Sequence, residues 1–325
     1  METDIKKKFL TLHGIPSDTP PKDTFYYYDI INGWTINNNK INDEINDEII
    51  SLYYLFQDCI MKDIDYNTIC KKIPPFVSDS GLNSESPVSK NMLELIINNF
   101  KNIPEIYRFL YLYDCDFLIQ SLLTCHIEVK NICGEFYHLL NSGPFFDNCN
   151  HIDSVRFTCS ADITKLMSYV NFIFIRLYSI LDYVVKICFE LDNIPNDFSK
   201  YNKMYSKNKL FGEKKRLSIN NRKDTLFEDC DFIKTIETIR NHIIHDGIID
   251  IRPKGYERYV SGVIVERFIL FPDIKNGRFE NYVNRKLFYG NEDKINLRLP
   301  SIIDEFNSRL LNTIKIVINN KKEII

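Results

Sequence analysis

The stretch Arg240-Asn241-His242-Ile243-Ile244-His245 holds the residue types needed for chemistry on a phosphodiester. Histidine moves a proton near neutral pH. Arginine grips a phosphate through paired hydrogen bonds and stabilises charge as it develops. RNA brings its own nucleophile, the 2′-hydroxyl. Cleavage then needs a base for that proton, a donor for the phosphorane and an acid for the departing 5′-oxygen, with no metal or other cofactor. In this reading His245 is the acid/base, Arg240 the phosphate clamp, and Asn241 the group that orients the His245 ring or holds a phosphate oxygen. The expected product end is a 2′,3′-cyclic phosphate.

The element that must position these groups is a helix predicted over Asp229–Asp246. At roughly 100° per residue, Ile236, Ile239 and Ile243 fall near Phe232, with Ile233 and Ile244 to one side, and form a core-facing stripe. Arg240 falls inside that stripe, roughly 80° from Phe232. A charge there needs a partner or a cleft. The purely structural alternative pairs Arg240 with a buried carboxylate, Glu237 lying one turn earlier. It leaves His242 and His245 as cations at a helix C-terminus, with Gly247 as the stop. His242 is expected to face solvent. Arg240 and His245 diverge by roughly 140° on a regular helix, too far for one phosphate. Either the helix end unwinds near Gly247 or a second protomer supplies the missing group.

Arg240-Asn241-x-x-x-His245 resembles the signature of HEPN domains, small helical bundles found in prokaryotic ribonucleases, toxins and antiviral effectors. Two further stretches match what that resemblance implies. A long apolar helix, Ile163–Leu191, lies upstream and carries Arg176 and Asp182; a polar loop with Leu210-Phe211-Gly212 follows it. The likeness runs from Phe157 to the C-terminus. It implies a metal-independent endoribonuclease, a toxin or antiviral defence effector, working as a homodimer with a composite active site. The alternative is a non-catalytic HEPN module that binds RNA or nucleotide, or acts as a dimerisation or adaptor domain. The first half resembles nothing known, and a role in sensing a signal, holding a cognate inhibitor or extending the dimer is open to it.

The expected fold is mostly α. A helical N-terminal region, residues 1–152, precedes a HEPN-like bundle, residues 153–325, with a small β-hairpin inserted at Glu257–Phe271, where a Ser-Gly turn splits a β-branched run. Residues 1–40 read as irregular, with the aromatic run Phe25–Tyr28 packed on the body. Lys40–Lys72 reads as helix with Ile45, Ile49, Leu52, Leu55, Phe56 and Ile60 inward. Pro74–Ser89 reads as loop. Asn91–Leu140 gives further helices, one opened by Pro104. Leu299–Asn320 closes the chain as an amphipathic helix.

Asp182 is an accessory candidate, to pair with Arg240 or to fix His245; pairing with Lys186 one turn on is the alternative. Ser199–Lys223 carries nine Lys or Arg against one acidic residue, Glu213. Its Lys207, Lys209, Lys214, Lys215 and Arg216 are candidates to track an RNA backbone, with Tyr201, Tyr205 and Phe211 as stacking surfaces, unless the segment is simply a solvated loop. Elsewhere the net charge of −3 excludes a general polyanion binder. Cys115, Cys125, His126, Cys133, His138, Cys149 and His151 tempt a zinc assignment, but their spacing fits no ribbon or finger, and buried thiols are the expected reading. The odd total of nine cysteines and the lack of an export signal point to a reduced, cytoplasmic protein. The longest apolar helix is broken by Lys165, Arg176, Asp182 and Lys186, so no membrane span is expected.

Overall fold

The computed structural model describes residues 8–323, apart from Asp63, Asn102, Pro104, residues 147–152 and Asn220. The fold is mostly α, with small antiparallel sheets. The helices are α1 (Lys40–Met61), α2 (Tyr66–Cys70), α3 (Phe76–Asp79), α4 (Lys90–Phe100), α5 (Ile106–Asn141), α6 (Ala161–Asp192), α7 (Asp231–Asn241) and α8 (Ile295–Lys322). Among the described residues no helix is long and apolar enough to cross a membrane. The predicted Pro104 helix start, and Cys149 and His151, lie outside the described residues.

Two compact units emerge, each assembled from three stretches of chain. Met1–Asp43, Cys125–Ser179 and Asp224–Leu310 form the first; Glu44–Thr124, Ile180–Lys223 and Leu311–Ile325 form the second. Each draws on sequence from both sides of residue 152.

The first unit contains the sheets. Leu10–Thr11 (β1), Phe25–Asp29 (β2) and Gly33–Ile36 (β3) make an antiparallel sheet where the sequence reads as irregular, which corrects the expectation of an all-α first half. The turn that makes it is local. The Asp29 carboxylate accepts from the Ile31 and Asn32 N–H groups, and Gly33 takes φ +67°. The predicted hairpin is present as Gly255–Val260 (β5) and Val263–Ile269 (β6), turning at Ser261-Gly262, both with positive φ. Ser154–Thr158 (β4) adds a third strand beside β5. A Cβ on Gly255 would lie 2.1 Å from Ile163, so only glycine lets the start of α6 sit against this strand.

Charge is buried under that sheet. Glu257 is fully buried, and its carboxylate accepts from Arg267 Nε (3.0 Å), the Phe145 N–H (2.6 Å) and the Tyr259 hydroxyl (2.6 Å). Arg267 also donates to the Gly14 carbonyl at 2.7 Å. Helix α8 begins earlier than its amphipathic pattern predicts and contains Pro300 in its second turn. Proline has no N–H, so the Asn296 carbonyl loses its helical donor. The buried Tyr137 hydroxyl supplies the replacement at 2.7 Å.

In the second unit, Ile45, Ile49, Leu52, Leu55, Phe56 and Ile60 are all buried, as their spacing predicts. Asp65 and Ser89 cap α2 and α4 by accepting from the Asn67 and Met92 N–H groups. The basic segment folds as two 3-10 turns, Tyr205–Asn208 and Phe211–Arg216, pinned by carboxylates of α6. Buried Glu190 accepts from the Tyr205 and Ser206 N–H groups and from the Tyr111 hydroxyl. Asp182 accepts from the Phe211 N–H at 2.8 Å.

Replacing Tyr137 by Phe should cost about 1–3 kcal/mol in denaturant unfolding, the penalty for orphaning a buried carbonyl. In a Pro300→Ala background, where residue 300 regains its N–H, the same replacement should cost clearly less; equal costs would refute the substitution of hydroxyl for amide. A second test concerns His126, buried in the first unit, whose pKa burial pushes down to about 4 from 6.5. Between those values the unfolded chain binds a proton that the folded chain refuses. This stability is therefore complete above pH 6.5 and falls as pH drops toward 4, by up to about 3 kcal/mol. His126→Gln should flatten the pH dependence of urea unfolding across that window.

Candidate active site

Helix α7 buries Ile233, Ile236 and Ile239 and so fixes the rotation of everything after it. The last turn does not continue as an α-helix. Residues His242–Asp246 form a π-helical turn, closed by the Gly247 N–H donating to the His242 carbonyl at 3.0 Å. Gly247 then leaves at φ 121°, a conformation that favours glycine. The predicted departure from regular helix near Gly247 is thus a widening of the final turn.

Arg240 is half-buried, its guanidinium 4.5 Å from the centre of the Tyr178 ring and donating to Asn241 Oδ1 at 2.9 Å. Among the described residues of this unit no carboxylate pairs with it. Asn241 therefore orients Arg240 through its side-chain oxygen. His245 is exposed and makes no side-chain hydrogen bond among the described residues. His242, expected to face solvent, has only 10% of its side chain accessible. Its Nδ1 lies 3.2 Å from the Asp246 carboxylate, and its ring meets Phe279 edge-on at 5.3 Å. Hydrogen bonds from His242 and Lys286 hold Asp246 below the ordinary carboxylate range, so it stays ionised.

Phe279 and Lys286 belong to a short insertion that sequence reading passed over. It comprises Ile274–Lys275 (β7), Arg278–Phe279 (β8), Asn281–Tyr282 (β9) and Arg285–Lys286 (β10). A signal for it exists: Asn276-Gly277 between two short runs is a hairpin turn, and both residues have positive φ. Asp273 closes the base of the insertion by accepting from the Gly290 and Asn291 N–H groups. At its tip the Gly277 carbonyl accepts from the Thr238 hydroxyl of α7 at 2.8 Å.

The π turn and the insertion enclose a groove of about 340 Å³ lined by Asn241, His242, His245, Asp246, Arg278 and Lys286, among others. A second cavity of about 610 Å³ shares Arg278, Phe279 and Asn281 with it and adds Lys234 and Lys275. Lys234, Lys275, Arg278 and Lys286 share this surface with the carboxylates of Asp231, Asp246 and Glu280.

The other predicted site residues belong to the second unit. Asp182 holds the Phe211 N–H. Lys209 pairs with Glu213 and stacks on Phe189 and Tyr205; Lys214 stacks on Phe211; Arg216 pairs with Glu213. Lys207 and Lys215 are exposed. Phe211 is fully buried and is a loop anchor rather than a stacking surface, while Tyr201 lies against Tyr107 with its hydroxyl on Asp114. The eight described cysteines are unpaired thiols, and among the described residues no three His, Cys, Asp or Glu side chains gather as a metal cluster.

No known protein family, no curated protein and no solved structure matches this chain.

Gly277 is the residue on which the groove's far wall turns. A Cβ there would sit 2.5 Å from Lys234 Cβ and 2.9 Å from the Asp231 carbonyl, at φ +74°. Gly277→Ala should cost about 1–3 kcal/mol and raise amide exchange across residues 274–286 before the rest of the unit. Unchanged protection there would show that the insertion is held elsewhere.

Proposed function

We propose that this chain is a metal-independent endoribonuclease of HEPN type, cytoplasmic, acting as a toxin or antiviral effector and as a homodimer with a composite cleft. A cognate inhibitor or sensor protein is the further partner in this reading. The observation that carries it is the groove at the end of α7. There His245, free of intramolecular hydrogen bonds among the described residues, stands with Asn241 and two cations, Arg278 and Lys286. A titrating ring and fixed cations in one concave site suit transfer at a phosphodiester.

In the reaction, the 2′-oxygen of the ribose attacks the adjacent phosphorus while His245 takes its proton. The bond from phosphorus to the 5′-oxygen breaks, and the products are a 2′,3′-cyclic phosphate and a 5′-hydroxyl. Cations around the phosphate offset the charge that builds on its oxygens. Arg240 is outside the lining of the groove that His245 enters. That supports a composite arrangement, in which Arg240 of one protomer serves the phosphate held at His245 of its partner.

The test is cleavage of mixed tRNA, rRNA and mRNA in EDTA. Wild type should leave cyclic phosphate ends; Arg240→Ala and His245→Ala should each lose about 100-fold or more. Mixing the two inactive variants should restore about a quarter of wild-type activity, since half the dimers then carry one intact composite site. Binding of RNA without turnover would favour the adaptor reading, and no recovery on mixing would refute the composite cleft.

A further inference from the structure

Transesterification of RNA moves two protons, one off the 2′-hydroxyl and one onto the 5′-oxygen. The ribonuclease reading, on which this inference rests, uses one histidine. The groove holds a second. His242 and His245 line the same 340 Å³ space, both on the π turn. Residues three apart are neighbours on one side of a helical turn, about 60° from each other. Both line the groove whose other wall is the insertion.

His242 differs from His245 in how it is held. The Asp246 carboxylate lies at its Nδ1, and the same carboxylate oxygen receives Lys286 Nζ at 3.2 Å. Phe279 closes on the ring edge-on. A carboxylate at one imidazole nitrogen fixes the tautomer and leaves the other nitrogen for proton exchange, and it supports the ring's positive charge when both nitrogens carry protons. A ring held in this way presents its other nitrogen in a fixed direction, which suits delivery of a proton to a leaving group. His245 is exposed and is not held by a carboxylate among the described residues.

We propose that His242 is a second catalytic residue, the general acid that protonates the departing 5′-oxygen, with Asp246 and Lys286 as its positioning residues. In the balanced step His245 accepts the 2′-hydroxyl proton, the 2′-oxygen–phosphorus bond forms, the phosphorus–5′-oxygen bond breaks, and the Nε2 proton of His242 passes to that oxygen. The ring is left neutral, and it recovers its proton from water.

The experiment compares two substrates of one sequence, an ordinary RNA and one with sulfur in place of the scissile 5′-oxygen. A thiolate leaves without being protonated. With the oxygen substrate, His242→Ala and His242→Asn should each be slowed about 100-fold or more. With the sulfur substrate both should return to within about threefold of wild type, while His245→Ala stays slow on both. Asp246→Asn should follow His242→Ala with a smaller loss. In the wild type the alkaline limb of the pH–rate profile should vanish with sulfur. Wild-type rates in His242→Ala, equal slowing of both His242 variants on the two substrates, or a wild-type profile unaltered by sulfur would overturn the assignment and leave the ribonuclease reading standing. A wild type that cleaves neither RNA would remove that reading and this assignment together.

Discussion

The first unit is organised around one buried ion pair. Glu257 and Arg267 face each other across β5 and β6, both almost wholly removed from water. Each charge would be costly alone, so each must satisfy its remaining hydrogen-bonding capacity from nearby chain. Glu257 does so with the Phe145 N–H and the Tyr259 hydroxyl, and Arg267 with the carbonyl of Gly14. Those demands bring three distant parts of the sequence to one place. Gly14 is held to glycine by the same contact, since a Cβ there would lie 2.7 Å from Arg267 Cβ. Beside it Glu266, equally buried, collects Lys294 at 2.7 Å and Arg258 at 3.0 Å. Removing one member of such a pair costs about 3–5 kcal/mol, more than most apolar truncations on the surface of the same sheet.

That framework matters to the candidate site because β6 leads directly into the insertion. Asp273, the residue before β7, is buried, and its carboxylate ties down Gly290 and Asn291 where the insertion returns. A loop closed at its base in this way loses little further entropy when its tip docks. The tip docks on α7 through Thr238 and Gly277. The insertion therefore becomes a wall, and the π turn opposite it becomes the other side of a groove. Neither element has an apolar core of its own, and each is positioned by what it is attached to.

The electrostatics of the groove follow from that assembly. Asp246 stays ionised between His242 and Lys286, so the groove carries a negative charge beside its two cations, Arg278 and Lys286. A carboxylate among cations can orient an imidazole, which a uniformly basic patch does not do. The basic segment of the second unit works differently. Three of its cations, Lys209, Lys214 and Arg216, meet Glu213 or an aromatic face, and its turns are held by Glu190 and Asp182.

Much of the helical framework was legible in the sequence, because helix periodicity is a local property. The inward positions of α1, the extent of α6 and the hairpin at Ser261-Gly262 all follow from residue spacing and turn residues, whereas at the end of α7 the spacing leaves two alternatives open. The hexapeptide also holds the residue types from which a phosphodiester site is expected. What the sequence could not determine was what each of those side chains meets. His242 reads as solvent-facing until Phe279 and Asp246 close on it, and Phe211 reads as a stacking surface until it is buried. Strands β1–β3 form from a stretch that reads as irregular, where Pro16, Pro20 and Pro21 rule out a continuous helix. Their registry is set by hydrogen bonds to partners tens of residues away, such as the Asn141 side chain on Thr11. Periodicity reports on neighbours along the chain, whereas burial, partner choice and the groove itself arise from residues that only the folded chain brings together.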